Sequence, residues 1–170
     1  MSGLIQPQEA MRRAIALSRR ALATESGPPF GAVIVRNGEI IGEGSNHVHV
    51  NNDPTAHAEI MAIRHACATL KTPYLDGAIL FSSSEPCPMC MSAIYWSRIA
   101  AVHFSTDRHA AAQAGFDDLA LYKELERPCN KRRISMTQTI PEEGQVTFEI
   151  WKNDCRAAIQ TQLNEDDGTM

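Results

Sequence analysis

The run Gly77-Ala78-Ile79-Leu80-Phe81-Ser82-Ser83-Ser84-Glu85-Pro86-Cys87-Pro88-Met89-Cys90 changes character partway along. Gly77 to Ser83 is short and apolar and reads as a buried strand; Cys87 to Ser97 then reads as a helix with both thiolates near its N-terminus. Two cysteines three apart lie on one helix face, so both sulfurs can point at one ion. Thirty residues upstream stands His57-Ala58-Glu59. His57 would make a third ligand, and three protein ligands with an open position is the catalytic arrangement of zinc, whereas structural sites close with four. No second Cys-x-x-Cys and no His-x₃₋₅-His pair supplies a fourth. Glu59, two residues after His57, is placed to handle protons rather than to bind metal. Taken singly these features have plainer readings: a Cys-x-x-Cys is found in redox proteins, and buried free cysteines behave as small hydrophobes. The conjunction of His-x-Glu with Pro-Cys-x-x-Cys is far more specific than its parts, and it reads as a catalytic site.

The rest of the chain is consistent with a catalytic domain. Its 170 residues suffice for one domain with a sizeable core, and we expect a single domain over 1–170 with residues from about 153 onward as a C-terminal tail. Residues 1–30 hold Arg12, Arg13, Arg19 and Arg20 but no continuous apolar segment, so neither a signal peptide nor a membrane span is expected. Five cysteines (67, 87, 90, 129, 155) without a secretory pattern point to a reducing cytoplasm. The net charge of −4 argues against a nucleic-acid partner, since such proteins carry a basic stripe. The one basic run, Lys131-Arg132-Arg133, reads as a solvated loop.

In chain order, Pro7 to Thr24 carries apolar residues at helical spacing. Phe30 to Arg36 and Glu39 to Glu43 flank Asn37-Gly38, a hairpin signal. A polar loop from Asn46 to Pro54 leads to a helix over Ala56 to Leu70, with Asp53 or Thr55 as its cap and His57 and Glu59 in its first turn. After the helix at Cys87 come a buried strand at Ala100 to Phe104, a helical stretch near Asp107 to Ala114, a turn at Gly115-Phe116-Asp117-Asp118 and a helix at Leu119 to Leu125. Ile134 to Thr139 alternates as a fifth strand, Phe148 to Leu163 reads as a last helix, and Asn164 to Met170 as a frayed acidic end. Strands alternating with helices give an α/β layered fold. Because the first two strands form a hairpin, the sheet should be mixed.

The chemistry follows from the ligand set. Two thiolates and a neutral imidazole balance the charge of zinc, and zinc brings the pKa of a bound water from ~15.7 toward neutrality. Glu59 would take a proton from that water and deliver protons to a ring nitrogen and to a departing amine. A ring carbon bearing an amino group, as in an amidine, is the substrate such a site suits.

Several segments carry a family resemblance. Gly-Pro-Pro-Phe-Gly-Ala-Val-Ile-Val (27–35), Asn-Asp-Pro-Thr-Ala-His-Ala-Glu (52–59) and Glu-Pro-Cys-Pro-Met-Cys (85–90) resemble the cytidine deaminase-like superfamily. Ala93-Ile94-Tyr95-Trp96, Gly115-Phe116-Asp117-Asp118 and Tyr122-Lys123-Glu124 are more particularly similar to the bacterial guanine deaminases. The resemblance spans about residues 8–152. It implies a three-layer α/β/α sandwich around a roughly five-stranded mixed sheet, and one zinc per subunit on His57, Cys87 and Cys90, with Glu59 as proton shuttle. It implies a purine pocket using Phe30, Asn46, Ala58, Trp96 and Asp118, and deamination of guanine to xanthine and ammonia. It also implies a homodimer, in some members with exchanged C-terminal segments, to which Phe148 and Trp151 would belong. A tRNA adenosine deaminase, or an enzyme acting on guanosine, cytosine or another aminated heterocycle, shares the zinc core. A zinc-binding module without activity would have no use for Glu59.

Overall fold

Asn37 (φ 55°) and Gly38 (φ 77°) are both left-handed, the backbone a two-residue hairpin needs to match strand twist. They join β1 (Gly31–Arg36) to β2 (Glu39–Ser45) antiparallel, in a register running from Arg36 opposite Glu39 to Gly31 opposite Ser45 with one irregularity at Ile34/Val35. On its other side β1 pairs antiparallel with β3 (Ile79–Ser84), and β3 pairs in parallel with β4 (Ala101–Thr106). The sheet is therefore mixed, in the order β2-β1-β3-β4.

The computed structural model describes the backbone of residues 4–167, with side chains described through residue 154. The chain forms two compact units, one ending at Glu126 and one beginning at Arg127. The sheet and every residue of the site below belong to the first.

β1 is buried on both faces, so its apolar run is nearly unbroken. Val33 and Val35 turn toward α1 (Pro7–Ala23), where Ala10, Ala14 and Leu17 meet them with Phe81 of β3. Ala32 and Ile34 turn the opposite way, toward α3 (Ala58–Leu70) and α4 (Pro88–Trp96), and join Ala58, Ala62, Ala66, Leu80 and Ile94. Helix, sheet and helix pair make the three layers. The inner residues of α3 are alanines because the helix lies almost on β2. A Cβ at Gly44 would come within 2.2 Å of the Ala58 carbonyl oxygen, so this position accepts no side chain and thereby fixes the start of α3.

Three sequence expectations require correction. Ile134 to Thr139 forms no strand, and the sheet has four strands rather than five. Its alternating apolar residues Ile134 and Met136 are exposed, with no strand beside them. β4 is not buried but forms the sheet edge, with Phe104 about half exposed. An apolar run carries no information about whether both its faces are covered. The last helix, α7 (Pro141–Asp167), begins seven residues earlier than expected and includes positions read as a frayed end. Pro141 followed by Glu142 and Glu143 is a helix start, with acidic groups at the positive end of the dipole. Residues 168–170 of that acidic end lie outside the described residues.

The polar loop after β2 holds a short helix, α2 (Val48–Asn51), hydrogen-bonded through His49 and Val50 N–H to the Ser26 carbonyl. α5 (Arg108–Gln113) and α6 (Leu119–Glu126) follow β4, and Asp107 caps α5 by accepting the Ala110 N–H. No helix among the described residues is long and apolar enough to cross a membrane.

Candidate active site

Both metal-ligand loops end at a helix start. α3 begins at Ala58 rather than Ala56, so His57 is its N-cap in extended conformation (φ −66°, ψ 157°), outside the first turn where the sequence reading puts it. Cys87 holds the same place on α4 (φ −67°, ψ 168°). A residue of extended conformation turns its side chain beyond the helix end, which lets His57 and Glu59, two apart, converge on one site. Neither Asp53 nor Thr55 caps α3: Asp53 Oδ1 instead accepts from the Thr55 N–H at 2.8 Å and its hydroxyl at 2.7 Å.

His57 Nδ1 stands 3.6 Å from Cys87 Sγ and 3.6 Å from Cys90 Sγ, and the three atoms lie within 4.8 Å of one another. Tetrahedral zinc with ordinary Zn–N and Zn–S bonds holds N and S about 3.6 Å apart. The donor set thus fits zinc in both chemistry and spacing. Cys87 is held down to about 4, foremost by the hydrogen bond from Cys90, and Cys90 is pushed up by the same bond. Binding a divalent cation to two thiolates releases the protons the free thiols hold. His57 is raised, first by its hydrogen bond to Cys87.

Glu59 is buried beside the triad, 5 % exposed. One carboxylate oxygen accepts the Ser82 hydroxyl at 3.2 Å, and the other is 3.5 Å from Cys90 Sγ. Burial is the largest influence on its pKa and raises it. The Ser82 contact is one sequence reading missed. Its only signal is a hydroxyl in the middle of a buried strand.

In front of the triad opens a cavity of about 290 Å³ lined by His57, Glu59 and Cys87 together with Phe30, Asn46 and Asp118. Cys90 is fully buried behind it. Asn46 is held rigidly: its Oδ1 accepts the Val48 N–H at 3.0 Å and its backbone carbonyl accepts the Ser26 hydroxyl at 3.0 Å. With Oδ1 engaged, its Nδ2 group is left to donate. A Cβ at Gly27 would strike Asn46 Oδ1 at 2.1 Å, so glycine there is a condition of this arrangement. Asp118 is half-buried, and burial leads the influences that raise its pKa.

Two expected pocket residues are elsewhere. Trp96 is 83 % exposed and does not line the cavity. It stands at the C-terminal end of α4, and six residues of helix separate it from Cys90 by roughly 9 Å along the axis. Ala58 is fully buried with its methyl in the core, which leaves its backbone N–H, unpaired by helix geometry, as the group it can offer. Sequence reading also missed Phe116, which packs edge-on to Phe30 with ring centroids 5.0 Å apart and lines the cavity with Asp117 and Glu85. The turn containing Phe116 and Asp117 was singled out, but nothing in its spacing told which of its side chains face inward.

A mixed sheet flanked by helices, with a His-Cys-Cys triad and a buried carboxylate at two helix starts, defines a zinc-dependent deaminase, a hydrolase of cyclic amidines. The chain belongs to the family of the cytidine and deoxycytidylate deaminase zinc-binding region, whose model matches residues 4–106. Within it, the chain is similar to the guanine deaminase of Bacillus subtilis, 48 % identical over 143 residues that cover 84 % of this chain and 92 % of that protein. The crystal structure of guanine deaminase from Bacillus subtilis superposes with a TM-score of 0.85 at 46 % identity, covering 88 % of this chain and 95 % of the other. A tRNA-specific adenosine deaminase of Aquifex aeolicus is 49 % identical over 92 residues, covering 54 % of this chain and 61 % of that protein. The cofactor is zinc, for which His57, Cys87 and Cys90 are positioned.

Proposed function

We propose that the protein hydrolyses guanine to xanthine and ammonia. The observation that carries this reading is the cavity itself: one space of about 290 Å³ brings together His57 and Cys87 of the metal triad, the buried Glu59, the aromatic rings of Phe30 and Phe116, the donor Asn46 and the acceptor Asp118. Its size is near the lower end for small-molecule sites, as suits a single base. The guanine deaminase match covers most of both chains, whereas the tRNA deaminase match covers about half of this one, which favours the free base over a base within RNA.

Zinc, when bound, supplies Lewis acidity that makes water a nucleophile at neutral pH. The chain's residues do the rest. Phe30 and Phe116, whose rings stand nearly perpendicular, offer the base one face for stacking and one edge contact; stacking contributes ~1–3 kcal/mol per base. Asp118 accepts purine N–H groups, and Asn46 donates through Nδ2 to a ring nitrogen or carbonyl oxygen. Glu59 accepts the proton of the attacking water as oxygen bonds to C2, then passes it to the neighbouring ring nitrogen. It next takes the remaining proton of the added hydroxyl as the C2 carbonyl forms and delivers it to the departing amine, so that the carbon–nitrogen bond breaks and ammonia leaves. The Ser82 hydroxyl fixes the carboxylate for both transfers.

We also infer a homodimer in the cytoplasm, with residues 1–170 acting as one functional domain. Tyr95, Trp96 and Phe104 are 77 %, 83 % and 47 % exposed, an apolar surface suited to a second copy. Phe148 and Trp151, also exposed, belong to the segment available for exchange. Cys67, Cys87, Cys90 and Cys129 are free thiols, which suits a reducing compartment.

The test is ammonia release by zinc-loaded protein from guanine, guanosine, adenine, cytosine and a tRNA anticodon stem-loop. Guanine turnover with xanthine as product is expected. Release from the RNA alone would overturn the substrate reading and leave the zinc chemistry standing.

A further inference from the structure

Two segments line the cavity: the metal loop, through Glu85 and Cys87, and the turn Phe116-Asp117-Asp118. Within the cavity the Phe116 ring packs against Phe30. The firmer connection between turn and metal loop is made by two residues that do not line the cavity. Arg108, the first residue of α5, donates its backbone N–H to Glu85 Oε2 at 2.9 Å and its Nε to Oε1 at 2.9 Å, while Nη2 contacts the same Oε1. The Arg108 guanidinium carbon lies 4.2 Å from the centre of the Tyr122 ring. Tyr122, near the start of α6, donates its hydroxyl to the Pro86 carbonyl at 3.1 Å and its backbone N–H to the Asp118 carbonyl at 3.1 Å. One side chain thus grips the residue before Cys87 while its backbone grips Asp118. Arg108 holds Tyr122 by its ring and the metal loop by Glu85.

We propose that Arg108 and Tyr122 are positioning residues that set the separation between Asp118 and the metal loop, and through it the tightness and selectivity of base binding. The role rests on the guanine-deaminase reading only for the identity of the base. A substrate gripped at two ends depends on the spacing between the grips, and a displacement near 1 Å is enough to be felt in catalysis. Metal binding should be indifferent to this spacing, because His57, Cys87 and Cys90 are fixed by their own helix starts.

The experiment compares full-length, zinc-loaded wild type with Tyr122→Phe, Arg108→Ala and Arg108→Lys. Zinc content, kcat, KM for guanine, melting temperature and amide hydrogen exchange are measured on each. Tyr122→Phe should keep its zinc, hold kcat within about twofold and raise KM about fivefold, the size of one lost hydrogen bond. Arg108→Ala should raise KM by tenfold or more, and Arg108→Lys should restore part of it, since lysine keeps the charge but not the planar fork. Amides of 115–122 should exchange faster in Tyr122→Phe, while those of 58–62 stay unchanged. Zinc loss in step with activity, or a lower melting temperature with KM unaltered, would overturn the proposal. If wild type leaves guanine untouched, the substrate reading fails separately. The exchange comparison then decides the positioning role by itself, with unchanged protection of 115–122 counting against it.

Discussion

The two walls of the cavity are built by different means. The metal wall uses the starts of α3 and α4, where His57 and Cys87 are N-caps and Cys90 and Glu59 lie within the first turn. Its positions follow from core packing: the alanines of α3 lie against the sheet and leave little room for the helix to shift. The recognition wall is assembled from loops, with Asn46 after β2, Phe30 before β1, and Phe116 to Asp118 in the turn before α6. Asn46 is buried and pinned, whereas Asp118 is held from outside the cavity through Tyr122. The difference teaches that the chemistry common to the family rests on secondary structure, while the choice of substrate rests on loops that can change without disturbing the core.

The largest effects should come from the metal wall. Cys90→Ala removes one thiolate from His57, Cys87 and Cys90, the one candidate triad among the described residues. Zinc measured by emission spectrometry after dialysis should fall away, and turnover with it; retained metal would take Cys90 out of the ligand set. Glu59→Gln should separate metal from chemistry. Zinc should stay and kcat should fall by roughly 10²–10⁴-fold, the contribution of a positioned acid–base group. Turnover near that of wild type would end the proton-shuttle assignment.

That same division explains what could be read in advance. The metal wall was legible because zinc constrains residue type and spacing together, and helix starts follow hydrophobic periodicity. Its errors, His57 and Cys87 read as helical residues and found as N-caps, are boundary shifts of one or two residues that leave the ligand set intact. The hairpin was legible because Asn37-Gly38 dictates backbone conformation locally. The recognition wall was only partly so. Trp96 was assigned by residue type and family resemblance, but its distance along α4 carries it away from the cavity. Phe116 and Ser82 went unassigned because facing inward is a property of tertiary packing, which one sequence does not display. Ile134 to Thr139 misled for the same reason, since alternation indicates a strand only where another strand exists to pair with it.

A smaller effect is expected at the recognition wall. Asp118→Ala deletes a half-buried acceptor without touching the core. KM for guanine should rise by roughly 10–100-fold, the range of a hydrogen bond to a charged group, with zinc content unchanged. Asp118→Asn should separate charge from shape: it keeps one acceptor oxygen, and partial recovery would show that geometry contributes alongside charge. An unaltered KM in both variants would reduce the turn to a structural role and remove the contrast between the walls.

The smallest effect serves as the control, because it belongs to neither wall. Arg13 on α1 donates to both oxygens of Glu43 on β2, at 2.6 Å and 2.9 Å. That hydrogen bonding, ahead of all other influences, lowers the Glu43 pKa below its ordinary 4.5. A carboxylate lowered on folding stabilises the native state fully above its unfolded pKa, and loses that contribution as pH falls through its folded value. Arg13 is about half exposed, so solvent screening limits the pair to about 0–1 kcal/mol. Arg13→Ala should therefore lower the melting temperature near neutral pH by no more than about 2–4 °C. The gap from wild type should close as pH drops below 4.5, while zinc content and KM stay as they were. A gap that persisted in acid would assign the loss to packing of the arginine stem rather than to charge. A shift in KM would mean that the recognition wall responds to the outer helix layer, and that its loops are less separable from the core than their anchoring indicates.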